Sequence, residues 1–587
     1  MRTFISSLIH VYTLCAVVVF SCDISWAAAD NDVVLSAITD EMARSMKELR
    51  IDEHPTPYFI SYMVKEIDEA RCTSCLGAPS VFVHNRERIL TPIVKVGNYE
   101  MDSSYPTSDR PNSSFVLPLD DNYSAVRREV WLMTDSEYKF AVRMLEWKKA
   151  YLRANNVVDR LPDMTKEKAV VVIEPVENLH VDEKKWSKQI EELSAIFKNY
   201  PTLKKSKVSF IARTVNRWFV NSEGTRVRDS RNQYGVRIWA SAQAGDGEPF
   251  EDCEMVACPD ESKLPDLAHL KQKAEALAQR LTEVRVAPKC EDYCGPVLFE
   301  DQAAAELFDQ VMSRNFSFAE EYMGDEDFVN PLKNRLGRKV MSRQLSVVDD
   351  PLAVDANGAP LMGTYKIDDE GVPAQRVDLV QNGLLRAFCQ SRIPTRHFDH
   401  SNGHSLGGHG VYSILSLSAS ETASPESILA KAKELANDAG LDYVLVISRM
   451  RNDYEMREYP AADNLDERPY STPTYSISPS YPLIVYKLFL NDGHRELVRG
   501  LEFAYVSLRT FRDVQAVGND ARPYIVEPSD YWTRCLITPS YLIGELELTQ
   551  IAPEHATPPI LPSPLQEHFV AKQPQSSKNS SGADMTK

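Results

Sequence analysis

Hydrophobic and polar positions follow two distinct periods along this chain. Apolar residues return every three or four positions over 33–49, with Val34, Ile38, Met42 and Met46 on one face, which predicts an amphipathic helix. The same spacing predicts a helix over 136–153 (Phe140, Met144, Trp147, Tyr151), capped by Thr134 or Asp135. Two more follow over 185–197, stopped ahead of Pro201, and over 264–283. Short β-branched and aromatic runs predict strands at 58–64, 81–83 and 169–174. A meander is expected from 208–211, 218–220, 225–228 and 235–240, turning at Asn221-Ser222-Glu223-Gly224. Trp218 and Trp239 fit it better as sheet-core aromatics than as a ligand-stacking pair. Residues 91–114 are polar and turn-rich and read as a surface loop.

The second half changes character after Val286-Ala287-Pro288, where a domain boundary is placed. A strand at 295–299 leads into a helix from Asp301 to Arg314, and Ser424 with Pro425 starts another over 428–436, stopped by Gly440. Further strands are expected at 443–447, 482–490, 495–498 and 542–548. Residues 345–392 organise this half as strand, acidic loop, strand, tight turn, strand. Val347-Val348 precede Asp349-Asp350-Pro351, where the proline blocks ladder pairing. A second acidic turn holds Asp368, Asp369, Glu370 and Gly371, and Gln381-Asn382-Gly383 marks a hairpin between 376–380 and 384–389.

That string, together with Val517-Gly518-Asn519-Asp520, resembles the TldD/PmbA family, metallopeptidase-like proteins once called modulators of DNA gyrase. The resemblance runs from Cys290 to Asp520 and reaches weakly back to 218–228. It implies an α+β architecture, with an N-terminal mixed α/β domain over 30–288. A C-terminal domain dominated by antiparallel sheet follows over 289–565.

Composition adds compartment and partner. Residues 1–29 combine Arg2, an apolar run ending at Phe20 and the small-residue site Ala27-Ala28-Ala29, the pattern of a secretory leader. The chain is therefore expected to be exported, periplasmic or secreted, with no membrane span, and 566–587 to be a disordered tail. The formal charge of -18 repels phosphate and argues against a nucleic-acid partner. Past the leader lie Cys72, Cys75, Cys253, Cys258, Cys290, Cys294, Cys389 and Cys535. Close spacing and an oxidising compartment favour disulfides over zinc, and Cys72 and Cys75 lack the setting of a redox pair.

The chemistry expected from the resemblance is missing at its place. Active members carry His-Glu-x-x-x-His on the helix after the Gly-Pro-Val strand, imidazoles holding zinc and a carboxylate serving as base for water. Matching the Ala303-Ala304-Ala305 lead-in puts that motif on Asp309, Gln310 and Arg314. Gln310 cannot accept a proton, and Arg314 sets a fixed positive charge where the ion would sit. The third ligand, a cysteine shortly after Asp520, has no counterpart in 520–530. No catalytic residue and no cofactor are expected. Zinc enters only under the alternative reading, an active metallopeptidase with a rearranged site on His397, His400, His404 and His409. Gly403-His404-Ser405-Leu406-Gly407 matches a nucleophile elbow in letters, but a polar lead-in and Gly407-Gly408 deny it the strand and helix it needs. Cys389, in an apolar run, reads as an inert thiol. The resemblance thus implies a non-catalytic member that binds peptide or unfolded polypeptide, as a homodimer or as a heterodimer with a family relative.

Overall fold

The structure, a computed structural model, describes residues 32–104, 114–317, 330–451, 479–528 and 533–551 and a few positions between 559 and 565. The expected leader and the tail lie outside the described residues. The N-terminal half is a seven-stranded sheet of β1 (Pro57–Ser74), β2 (Phe82–Val96), β3 (Phe115–Val116), β4 (Val171–Ile173), β5 (Lys205–Asn221), β6 (Arg226–Gln243) and β7 (Pro249–Cys258). The order is β3-β2-β1-β5-β6-β4 with β7 also on β6, antiparallel throughout except that β4 runs parallel to β6.

β1 and β6 are each 18 residues long, about 60 Å at the rise of an extended strand. One face therefore seats two helix pairs end to end. α1 (Val33–Glu48) and α2 (Tyr123–Ala154) bury Val34, Ile38, Val130 and Leu145 against Tyr62, Val64, Trp218 and Val220. α3 (Glu183–Ala195) and α4 (Leu267–Val284) bury Trp186, Ile190, Leu277 and Leu281 against Phe210, Val236 and Ile238. Strand alternation sends these even-numbered positions to the helices. Odd-numbered Lys65, Arg213, Arg217, Asp229 and Arg231 go to the opposite face, toward the C-terminal half.

The C-terminal half carries β8 (Tyr293–Phe299), α5 (Asp301–Val311), β9 (Leu345–Asp349), β10 (Asp355–Ala356), β11 (Ala359–Pro360), β12 (Val377–Gln381), β13 (Leu384–Leu385), β14 (Ser405–Leu406) and β15 (His409–Gly410). β16 (Ile414–Ala419), α6 (Pro425–Asp438), β17 (Tyr443–Met450), β18 (Pro482–Phe489), β19 (Arg495–Val498), β20 (Leu501–Phe503), β21 (Val514–Val517), β22 (Arg522–Pro528), β23 (Thr533–Thr538) and β24 (Tyr541–Gln550) follow. Two larger sheets result, β13-β12-β9-β16-β23-β22 and β19-β18-β17-β8-β24-β20 with β21 on β24. Both are antiparallel except at β16–β23 and β8–β17. Phe308, Val311, Val347, Leu415, Ile447 and Tyr541 share the core between them, with α5 inside it. α6 covers the other face of β8, β17 and β24 through Ile428, Ala432 and Ala436. The chain is α+β, and its C-terminal half is mainly antiparallel sheet.

Several expectations need correction. The four short strands of the meander are two long ones, and β1 and β2 continue far past 58–64 and 81–83. Their interiors hold charges that pair across strands, Glu66 with Arg86 and Arg88, and Glu69 with Arg213. Apolar patterning therefore breaks where hydrogen bonding does not. The expected loop over 91–114 begins as the end of β2, and 105–113 lie outside the described residues. α2 starts at Tyr123, capped by Asn122. It buries Tyr138, Ala141, Leu145 and Lys148 while Trp147 stays 41% exposed, so the stripe through Phe140 and Trp147 is not its core face. The described cysteines are all free thiols rather than disulfides. Cys72 and Cys290 are buried whereas Cys75 and Cys294 are exposed, and Cys253 and Cys258 sit at opposite parity on β7. Among the described residues no helix is long and apolar enough to cross a membrane.

Candidate functional site

α5 carries Asp309 and Gln310, two of the three positions at which the resemblance leads one to expect a degenerate motif, against the C-terminal core. Its small Ala303-Ala304-Ala305 lead-in is fully packed, and Asp309 is 1% exposed. Oδ1 of Asp309 accepts from the hydroxyls of both Ser313 and Tyr412. Tyr412 is itself buried, with the Arg534 guanidinium 4.5 Å from its ring centroid. Burial pushes the Tyr412 phenol well up, so it remains a donor. Gln310 uses both ends of its amide: Nε2 donates to Glu306 Oε2 and to Ser480 Oγ at 3.0 Å each, and Oε1 accepts from the Ser480 backbone at 2.7 Å. The α-helix ends at Val311 and tightens to a 3₁₀ turn over Ser313–Phe316. Arg314 is therefore carried to the surface and does not occupy an ion's position, contrary to expectation. These residues do not fit a zinc ion: the one carboxylate is capped by hydroxyls, and the other two positions point to different tasks.

The acidic string that carries the resemblance acts as a set of clamps on the glycine-rich loop. Asp349, closing β9, accepts from the backbone N–H of Ser413 and of Ile414, the latter at 2.8 Å. Asp368 accepts from Glu370 and Val372 in its own turn and from Ser405 at 3.0 Å. Burial, and next the neighbouring Glu370, push the Asp368 carboxyl up to about 8 against those donors. Asp369 accepts from Gly407 at 3.0 Å.

The loop does not gather its histidines. His397, His400 and His409 are exposed, and His400 stands 3.6 Å from Glu167. His404 alone is buried, with its Nε2 3.0 Å from Oδ2 of Asp349. Cys389 completes a group: its Sγ and the ligating atoms of Asp349 and His404 all lie within 4.8 Å of one another. Burial, and next the Asp349 charge, push the Cys389 thiol well up. Sequence reading found His404 but took Asp349 for a turn residue and Cys389 for inert packing. The available signal was glycine. A Cβ at Gly410 would come within 2.0 Å of the Cys389 carbonyl oxygen, and one at Gly403 within 2.1 Å of that of Pro373. The loop must pass hard against the segment bearing the thiol. Ser405 lies buried in the two-residue strand β14, which pairs with β15 and opens no helix, so the nucleophile-elbow letters are coincidental.

A cavity of about 360 Å³ separates the charged face of the N-terminal sheet from residues 361–364 and Thr533. Lys65, Arg213, Arg217 and Arg231 line one wall and Leu361 and Met362 the other. Burial, and next Arg217, push Arg231 down to about 10, the mark of cations crowded away from water.

Residues 292–451 match the PmbA/TldA metallopeptidase C-terminal domain. A metalloprotease of Methanothermobacter thermautotrophicus is 26% identical over 191 residues, 32% of this chain and 38% of that protein. A metalloprotease TldD homolog of Buchnera aphidicola is 33% identical over 63 residues, 11% of this chain and 12% of that protein. The matched stretches thus span well under two thirds of those relatives. Among solved structures, TldE from Thermococcus kodakarensis superposes with a TM-score of 0.54 at 13% identity, over 87% of this chain and all of that one, 100%. A putative modulator of a DNA gyrase from Thermotoga maritima gives 0.53 at 15% identity, over 84% and 96%. This chain therefore shares the fold of the two structures, and its residues 292–451, which carry the acidic string and its hairpin, match the PmbA/TldA metallopeptidase C-terminal domain.

Proposed function

We propose that this chain is an exported, non-catalytic member of the TldD/PmbA family, acting as a peptide-binding or partner subunit. The observation that carries the reading is the hydrogen bonding of Asp309 and Gln310. Both side chains are spent on protein partners where active members are expected to hold zinc and its base. Gln310, at the place expected for the base, cannot take a proton from water. The cavity between the two halves offers a place for an extended peptide, and strand edges add sequence-tolerant hydrogen bonds. The family resemblance supplies the partner: a motif-bearing relative with which the chain forms a heterodimer, or a second copy where none is co-exported. The leader motif at 1–29 supports export.

The test is cleavage of unstructured peptides with added zinc, by the chain alone and mixed with a motif-bearing relative, alongside size measurement of both samples. The expected result is no cleavage by the chain alone and a dimer in one of the two conditions. Zinc-dependent cleavage by the lone chain overturns the non-catalytic reading, and a monomer in both samples overturns the partner.

A further inference from the structure

His404 is held in one tautomer by its neighbours. Asn402 donates through Nδ2 to the Phe388 carbonyl at 2.9 Å and accepts the Gln390 N–H on Oδ1 at 2.8 Å, which fixes the orientation of its amide. Nδ1 of His404 then faces two acceptors, the Asn402 carbonyl at 2.9 Å and Asn402 Oδ1 at 3.0 Å, so Nδ1 carries the proton. Nε2 is left with a lone pair inside the protein. It lies 3.0 Å from a carboxylate oxygen of Asp349 and yet has no hydrogen-bond partner. Two electron-pair donors at this distance with no hydrogen between them, both 0% exposed, call for a cation they can share.

Cys389 supplies the third donor, again 0% exposed and within 4.8 Å of both others. Around one tetrahedral zinc, ligand atoms stand roughly 3.3–3.8 Å apart, so the group needs little contraction to close on an ion. Thiolate, imidazole and carboxylate together suit zinc rather than the oxygen-seeking magnesium or calcium. A divalent ion with one thiolate and one carboxylate is also electroneutral, which a site without solvent requires. The outer groups are in place, Asn402 orienting the imidazole and the Ser413 and Ile414 amides orienting the carboxylate.

We propose that Asp349, Cys389 and His404 bind a structural zinc ion beneath the glycine-rich loop, separate from the motif position on α5. The ion joins three segments distant in sequence: the end of β9, the chain beyond β13, and the loop between Gly403 and Gly410. One coordination position remains for a water. With all three ligands buried, an extended peptide has no approach to the ion, so the site stabilises the fold and does not hydrolyse.

The experiment is metal analysis of the full purified chain after dialysis, with C389S, H404A, H400A and H409A as variants. The expected result is about one zinc per chain in the wild type, kept in H400A and H409A and lost in C389S and H404A. Should C389S or H404A fail to fold, cobalt added to metal-stripped wild type decides. A thiolate-to-cobalt absorption band in the near ultraviolet with a rise in Tm supports the site. A wild type that holds no zinc and gives neither band nor Tm rise overturns the proposal, as does zinc retained in folded H404A. The outcome is independent of catalysis. A metal-free, inactive chain removes this site and leaves the proposed function standing, whereas zinc lost in H404A together with peptide cleavage that persists in folded H404A keeps this site and removes the proposed function.

Discussion

Arg217, on the charged face of the N-terminal sheet, donates through Nη1 to Oδ1 of Asp369 in the C-terminal acidic turn at 3.2 Å, and both side chains are buried. The same guanidinium binds Asp229 bidentately at 2.9 and 2.5 Å and reaches the Ile367 and Asp368 carbonyls at 2.8 and 3.0 Å. Every donor direction of one planar fork is thus used, and the turn that clamps the glycine-rich loop is anchored to the other half of the chain.

Arg217→Ala should accordingly cost about 3–5 kcal/mol, the usual penalty for leaving buried carboxylates without their cation. Arg217→Lys should recover little, since an ammonium cannot reproduce the fork. Urea unfolding of the three proteins measures this. A loss under about 1 kcal/mol for the alanine variant would mean that water reaches Asp229 and Asp369 and that the anchor is weaker than its geometry.

The raised carboxyl of Asp368 gives stability a pH dependence of definite sign. Its proton is bound more tightly in the folded chain, near 8, than in the unfolded chain, near the ordinary value of about 4. The contribution is full below the lower value and is lost as pH climbs through the upper one. Between pH 6 and 9 the wild type should therefore lose Tm relative to Asp368→Asn, which has no proton to give up. Parallel melting curves across that range would show Asp368 to be ionised throughout.

Thiol reactivity follows from burial. Cys75 and Cys294 are exposed, while burial pushes Cys72 and Cys290 up to about 11 and Cys535 up to about 12. Among the described cysteines, titration of native protein with a disulfide reagent should find two fast thiols, Cys75 and Cys294, and the other six should react only after unfolding. No reactive thiol under either condition would restore the disulfide reading.

What the sequence made legible was local. Ser424 and Pro425 start α6 where their cap chemistry says, and Asn382 and Gly383, at φ of 50° and 73°, turn the β12–β13 hairpin. The long strands were hidden because Lys65, Glu66, Glu69 and Arg213 break the apolar period while each finds a partner, Glu66 with Arg86 and Glu69 with Arg213 across the ladder and Lys65 with Asp369 of the C-terminal half. The face of α2 was misread because a lysine, Lys148, lies inside, paired with buried Asp163 at 2.6 Å, whereas Trp147 lies outside. The candidate metal group was half visible. His404 stood out in a histidine-rich loop, but Asp349 meets it only because β9 pairs with β16, which sets Asp349 opposite Leu415. Cys389 arrives through a bridge to Ser317, at the end of the turn that follows α5. Such pairings join residues tens of positions apart and leave no periodic trace.

The last prediction concerns the motif itself. Restoring its letters with D309H, Q310E and R314H together should not create a zinc peptidase. Position 314 is the one exposed residue of an otherwise buried 3₁₀ turn beyond the end of α5, so a histidine there would face solvent while one at 309 faced the core. Removing Asp309 also strands the buried Tyr412 hydroxyl, and a glutamate at 310 would meet the carboxylate of Glu306 in place of donating to it. The triple variant should lose about 1–3 kcal/mol per stranded buried group and show no cleavage of unstructured peptide with added zinc. Thermal melting and the peptide assay read both effects. Zinc-dependent cleavage would mean that the turn after Val311 rewinds into helix once a metal can hold it, and the inactive state would then rest on three side chains rather than on the backbone that presents them.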